Sequence, residues 1–152
     1  MLGRLAKWLK ILGFDVLYFP KAEDPELVEI ARREGRVLLT RDTGLIEKTA
    51  KRPNRLFIRS DDWEDQVVQV LDEFELWGKV RPNTRCIECN LPLRPLGRDR
   101  AKNLVTPYVC EHASSFAVCS GCGRVFWQGT HFGDMERKIE ALLERRGKTI
   151  TG

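Results

Sequence analysis

The sequence predicts an α/β fold: a largely parallel sheet with helices on both faces, then a cysteine-organised metal module, then a C-terminal helix. Three observations carry this expectation. Over residues 1–76, short apolar runs alternate with apolar stripes at helical spacing. The runs show little in–out alternation, as expected of strands buried on both sides. Two Cys-x-x-Cys pairs follow the change of texture near Gly78, where residues 78–107 hold four of the seven prolines.

Leu2, Leu5, Trp8, Leu9 and Leu12 recur at i, i+3 and i+4, so residues 2–12 read as an amphipathic helix that Gly13 stops. Val16-Leu17-Tyr18-Phe19, before Pro20, reads as a strand. Asp24-Pro25-Glu26 opens a helix with Asp24 as N-cap and Pro25 in the first turn. Leu27, Ile30 and Ala31 form its buried stripe, and Gly35 ends it. Residues 36–40 make a second strand, 43–51 a short helix and 55–60 a third strand. Residues 63–76 form a longer helix with Val67, Val70, Leu71 and Phe74 on one face. Near the end, residues 134–146 form a charged helix with Met135, Ile139, Leu142 and Leu143 on one side. The expected domains are an α/β domain over 1–77, a linker over 78–84, a cysteine module over 85–132, and a helix and tail over 133–152.

The chain has 152 residues, 42% hydrophobic and 32% charged, which suits one folded domain with an appendage and excludes a disordered chain. No apolar run approaches about 18 residues, so a membrane-spanning helix is excluded. Charge interrupts the opening residues, which are no signal peptide, and the cytoplasm is the expected compartment. The net charge of +4 points only weakly to nucleic acid. The local pattern says more. Between Lys79 and Lys102 seven basic residues stand against two acids, and Tyr108, Phe116, Phe126, Trp127 and Phe132 follow. Positive charge neutralises phosphates and aromatic faces stack bases, so this module is the candidate RNA contact. A solvated loop with aromatic core packing is the alternative.

The cysteines are spaced Cys86-Ile-Glu-Cys89, then 29 residues, then Cys119-Ser-Gly-Cys122. Each pair can form a tight knuckle, and two knuckles supply four thiolates in the tetrahedral shell that suits a structural Zn²⁺. Four free cysteines or a redox pair are the other readings, which two matched pairs disfavour. Cys110 and His112 form a weaker cluster, read as a small buried thiol and a surface imidazole. His131 is a candidate contact for a phosphate or base, or a cap for the last helix.

In open α/β sheets, ligands sit beyond the carboxyl ends of the strands. Asp42 follows the second strand in Leu39-Thr40-Arg41-Asp42, and Asp24 follows the first. Carboxylates that share a crevice hold Mg²⁺ or Mn²⁺, which can activate water for phosphodiester hydrolysis. Each also has a plain structural role as a helix cap.

The opening Met1-Leu2-Gly3-Arg4-Leu5-Ala6-Lys7-Trp8-Leu9-Lys10-Ile11-Leu12-Gly13-Phe14-Asp15 closely resembles the first helix of the Mut-seven C-terminal RNase domain family. That family is PIN-like and carries a C-terminal zinc ribbon. Asp24-Pro25-Glu26-Leu27, Leu38-Leu39-Thr40-Arg41-Asp42, Arg85-Cys86-Ile87-Glu88-Cys89-Asn90 and the run from Cys119 to His131 match in family order. The resemblance implies a ribonuclease that hydrolyses RNA using Mg²⁺ or Mn²⁺. Asp24 and Asp42 stand at its acidic positions, and Zn²⁺ sits on Cys86, Cys89, Cys119 and Cys122. Arg4, Arg41, Arg85, Arg94, Trp127 and His131 are the candidate RNA contacts.

One departure matters. In the family a strand ending in an acid precedes the first helix, and this sequence begins at that helix. Three arrangements would reconcile the two. The natural product starts upstream, which is the favoured expectation; or the neighbouring strands close up or pair with another copy in a homodimer; or catalysis is lost and RNA or ribosome binding kept. Another acid just after the position of Asp42 is also lacking, with Glu23, Glu26, Asp61 and Asp62 as candidate substitutes. The last helix offers a further alternative, a protein-interaction patch.

Overall fold

Leucines and a tryptophan at helical spacing bury one side of α1 (Gly3–Ile11), where Leu5, Trp8, Leu9 and Ile11 are all buried. In this computed structural model, which describes residues 2–51, 54–128 and 133–145, α1 is followed by α2 (Asp24–Glu34), β1 (Leu38–Thr40), α3 (Thr43–Lys48), β2 (Arg55–Phe57) and α4 (Trp63–Glu73). A 3-10 turn at Trp77–Lys79 leads to β3 (Leu93–Leu96), α5 (Arg98–Ala101), α6 (Pro107–His112), β4 (Ser115–Cys119), β5 (Val125–Gln128) and α7 (Gly133–Glu144).

The fold is mixed α/β with a small parallel sheet. β1 and β2 pair in parallel, from Leu38 opposite Arg55 to Thr40 opposite Phe57. The cysteine module is a separate antiparallel sheet in the order β3-β4-β5, with α5 and α6 inserted between its first two strands. The main core gathers Leu5, Trp8, Leu9, Ile11 and Leu12 with Ile58, Val67, Val68 and Leu71. Trp8 stacks on Trp63 with ring centroids 4.5 Å apart. α7 gives Ile139 and Leu142 to this same core, worth about 1.5–3 kcal/mol each when fully buried. The apolar side of the last helix is therefore largely used inside the fold, and only Leu143 among its large apolar residues is well exposed.

The structure departs from the expected elements where tertiary partners decide. Val16–Phe19 is not a strand: residues 14–19 join no ladder, and Leu17, Tyr18 and Phe19 are exposed. Asp24 is not the N-cap of α2. Glu23 has the capping conformation, Asp24 is already helical, and Pro25 stands in the first turn as expected. Gly35 ends α2 in the left-handed region at φ 65°. α3 stops at Lys48, where Thr49 turns its hydroxyl back onto the Leu45 carbonyl at 2.8 Å.

β2 is shorter than its apolar run because two buried glutamines take its backbone groups. Gln69 donates from Nε2 to the Phe57 carbonyl at 2.7 Å and accepts from the Arg59 N–H at 3.0 Å. Gln66 donates to the Ser60 carbonyl at 2.9 Å. Both sit on α4, one helical turn apart. Gln69→Leu keeps the volume but leaves two backbone groups unpaired. We expect a loss of about 2 kcal/mol in urea unfolding, with the m-value unchanged.

Candidate metal centre and acidic cavity

Two tight turns of the same design build the cysteine centre. In the first, the Asn90 N–H donates to the Cys86 carbonyl at 2.8 Å; in the second, the Gly123 N–H donates to the Cys119 carbonyl at 2.9 Å. Asn90 (φ 63°) and Gly123 (φ 74°) both take the left-handed conformation that closes each turn. The pairing of β3 with β4 sets Leu93 opposite Cys119, and this register brings the two turns together. The sulfurs of Cys86, Cys89, Cys119 and Cys122 all lie within 4.8 Å of one another.

Crowding splits their acidities. Backbone N–H groups of Cys122 and Gly121 pull Cys119 down to about 7. The neighbouring thiol of Cys122 and then burial push Cys89 up to about 12. Burial also raises Cys86. Four sulfurs this close cannot all carry charge without a cation between them, and all four can hold a metal such as zinc. The donor set fits an ion, and Gly121 suits the second turn because a Cβ there would meet Leu91 Cδ1 at 2.6 Å. Cys110 lies apart, with its sulfur near the Arg98 carbonyl, and His112 bonds within its own helix.

The first turn is also the hinge between the ribbon and the α/β unit. Asn90 donates from Nδ2 to Asp15 at 2.6 Å and accepts the Val16 N–H at 2.9 Å. Arg85 bridges the Gly13 and Asn90 carbonyls, so this RNA candidate is occupied internally. Residues of the expected linker cap α1: the Arg81 and Asn83 N–H groups donate to the Leu12 and Ile11 carbonyls. Gly13 permits that approach at φ +99°, where a Cβ would meet the Arg81 carbonyl oxygen at 2.4 Å. Asp15 in turn grips Arg36 at 3.0 Å, and its bond to that guanidinium holds its carboxyl below the usual range.

Asp15 and Arg36 reach a cavity of about 590 Å³ walled by Leu5 and Leu9 of α1, Val16 and Tyr18, Leu27 and Ile30 of α2, and Leu39 of β1. Asp24 and Asp42 both line it, so the two acids named from sequence share one crevice at the carboxyl end of β1. Asp42 is fixed by the strand end and by α3. Its N–H donates to Thr40 Oγ1, and its Oδ1 caps the helix by accepting from Gly44 and Leu45 at 2.8 and 3.2 Å. Beside it, Arg41 reaches the Arg59 carbonyl at 3.5 Å and keeps a buried Nε without a partner. Among the described residues no group of three or more carboxylates stands close enough to share an ion. Glu23, Glu26, Asp61 and Asp62 do not line the cavity, and Asp62 caps α4 instead. Asp15 is the acid that sequence reasoning passed over; it stood unused at the end of the matched opening run.

The cavity lies along an open edge. The ladder to β2 uses Leu38 and Thr40, and it turns the Leu39 N–H and C=O outward with no partner among the described residues. The neighbouring strands have not closed up, contrary to one sequence-based expectation. Of the other RNA candidates, Arg4 lies over the Trp63 ring at 5.2 Å and Arg94 is exposed on β3. Trp127 packs against the small ribbon core of Ala101, Val109, Ala113 and Phe116. His131 lies outside the described residues.

The class of protein is thus a mixed α/β unit with an attached four-cysteine ribbon able to hold metal. The chain belongs to the Mut7-C RNAse domain family, whose pattern matches residues 1–139. That membership supports a nuclease or RNA-related function. Searches of curated proteins and of solved structures return no significant match. No described helix is long and apolar enough to cross a membrane.

Asn90→Gly keeps the left-handed turn but removes both side-chain bonds to the cavity wall. Metal binding should persist, while the Val16 amide, read by hydrogen exchange, should exchange about tenfold faster or more. The Arg36–Asp15 pair has its own pH signature. A carboxyl lowered by folding adds stability above its unfolded value, and that stability is lost as pH falls through the lowered folded value. Asp15→Asn should therefore be less stable than the parent at neutral pH, with the gap closing below the ordinary carboxylate range in pH-resolved urea melts.

Proposed function

We propose that the protein is a divalent-metal-dependent ribonuclease of the PIN-like kind that hydrolyses RNA phosphodiester bonds in the cytoplasm, with a zinc ribbon that assists RNA binding. The observation that carries this reading is the convergence of Asp24 and Asp42, eighteen positions apart in sequence, on one cavity at the carboxyl end of β1. Two carboxylates suit Mg²⁺ or Mn²⁺, which keep water and substrate phosphate as their remaining ligands. Such an ion, when bound, supplies activation of water and neutralisation of the phosphate. The chain's own residues do the positioning. The two N–H groups of α3 orient Asp42 through Oδ1 and leave Oδ2 toward other uses. Arg41 adds positive charge next to Asp42 for a phosphodiester oxygen. Cys86, Cys89, Cys119 and Cys122 would hold a Zn²⁺ in a structural role, and the ribbon they build presents Arg94 and its basic neighbours for phosphate contact.

Asp42→Asn is the sharp test, because Asn also caps helices well and should leave the fold intact. RNA cleavage with Mg²⁺ or Mn²⁺ is expected to fall about a hundredfold or more. Unchanged cleavage would remove this site from the mechanism.

A second reading, an RNA- or ribosome-binding adaptor without cleavage, is favoured because among the described residues no three carboxylates gather closely enough to share an ion and the outer edge of β1 has no ladder. Cleavage and RNA binding measured across a salt series separate the two. The nuclease reading expects Mg²⁺- or Mn²⁺-dependent cleavage that Asp42→Asn reduces. The adaptor reading expects steeply salt-dependent RNA binding and no cleavage.

A further inference from the structure

We infer that the stacked Tyr108–His112 pair on α6 is a base-stacking platform for single-stranded RNA. The inference rests on the reading that this protein acts on RNA, and it names a surface that the reading leaves unassigned. Five aromatic residues follow the basic run of the ribbon, and the structure sorts them. Phe116 is buried, Phe126 and Trp127 are half-buried, and Phe132 lies outside the described residues. Tyr108 alone among the described four faces solvent, at 56% exposure, and Leu104, four positions earlier in sequence, is 60% exposed. Trp127, the aromatic expected from sequence to meet RNA, is instead part of the ribbon's packing.

The exposed pair is ordered in advance. Its rings stack at 4.1 Å with an interplanar angle of 23°. The His112 Nδ1 lies 2.8 Å from the Tyr108 carbonyl. A carbonyl only accepts, so Nδ1 carries the proton and, in the neutral ring, Nε2 is left as an acceptor. The short helix is clamped beneath. Thr106 caps it by accepting the Val109 N–H, and Pro107 occupies its first turn. Arg98 lies over the Phe116 ring and donates to the Cys110 and Ala113 carbonyls at the far end of α6. A platform held this way gives up little freedom on binding.

Charge selects the occupant. Across residues 94–112 the exposed cations Arg94, Arg98, Arg100 and Lys102 stand against the acids Asp99 and Glu111. A solvent-facing aromatic pair on a segment with more cations than acids matches a polyanion whose flat bases are free, which is a single strand and not a duplex.

The test measures anisotropy of a short labelled oligoadenylate with the full, zinc-loaded chain. Tyr108→Leu and His112→Ala are each expected to weaken binding by about tenfold, with Tyr108→Phe near the parent. Co²⁺ absorption of the cysteine centre checks that each variant keeps its ribbon. Parent affinity in Tyr108→Leu would show that no ring is needed and overturns the platform. A concentration-dependent dimer lost in Tyr108→Leu, with RNA binding unchanged, would assign the patch to a second copy and also overturns it. If the parent itself binds no RNA, the functional reading fails and the platform with it. Failure of the platform alone leaves parent RNA binding intact.

Discussion

Four cysteine sulfurs within 4.8 Å of one another form the constraint on which the rest depends. Charged sulfurs repel at that distance unless a cation sits among them. Closing the first turn around that centre forces Asn90 into the left-handed region, and this aims its side chain at Asp15 and Val16. Asp15 then holds Arg36, and both reach the cavity lined by Asp24 and Asp42. Order in the metal centre is thereby passed, bond by bond, to the wall of the acidic crevice. The chain of contacts is physical and short, and it makes the ribbon more than an appendage.

The α/β unit is built to the same economy of shared groups. Asp42 caps α3 through Oδ1 and also lines the cavity. Gln66 and Gln69 bury amides to finish β2, so the strand ends where side chains relieve its backbone. The linker residues Arg81 and Asn83 complete α1 by capping its last carbonyls. The outer edge of β1 has no ladder among the described residues, and it runs along the cavity lined by Asp24 and Asp42.

The ribbon divides its aromatic residues by position in the sheet. Phe116 and Trp127 are cross-strand partners on one face, beneath α5 and α6, and their burial holds that insert. Tyr108 sits on the insert itself and is spared from packing.

By itself the sequence determined those features that need only neighbours along the chain. The helical stripe of α1, the stop at Gly35, the two cysteine pairs and the cap at Asp42 are all local geometry. It also named the two acids that share the crevice, since ligands gather where parallel strands end. Tertiary structure alone decided the rest. Val16–Phe19 has a strand's composition but lacks a partner, and an extended segment becomes a strand only when another backbone takes its hydrogen bonds. Asp15 and Asn90 stand seventy-five positions apart, and no periodicity reveals such a pair. Trp127 and Tyr108 look alike in sequence as exposed aromatics of a basic module; which one meets water depends on which faces of the sheet are covered, and packing in three dimensions settles that.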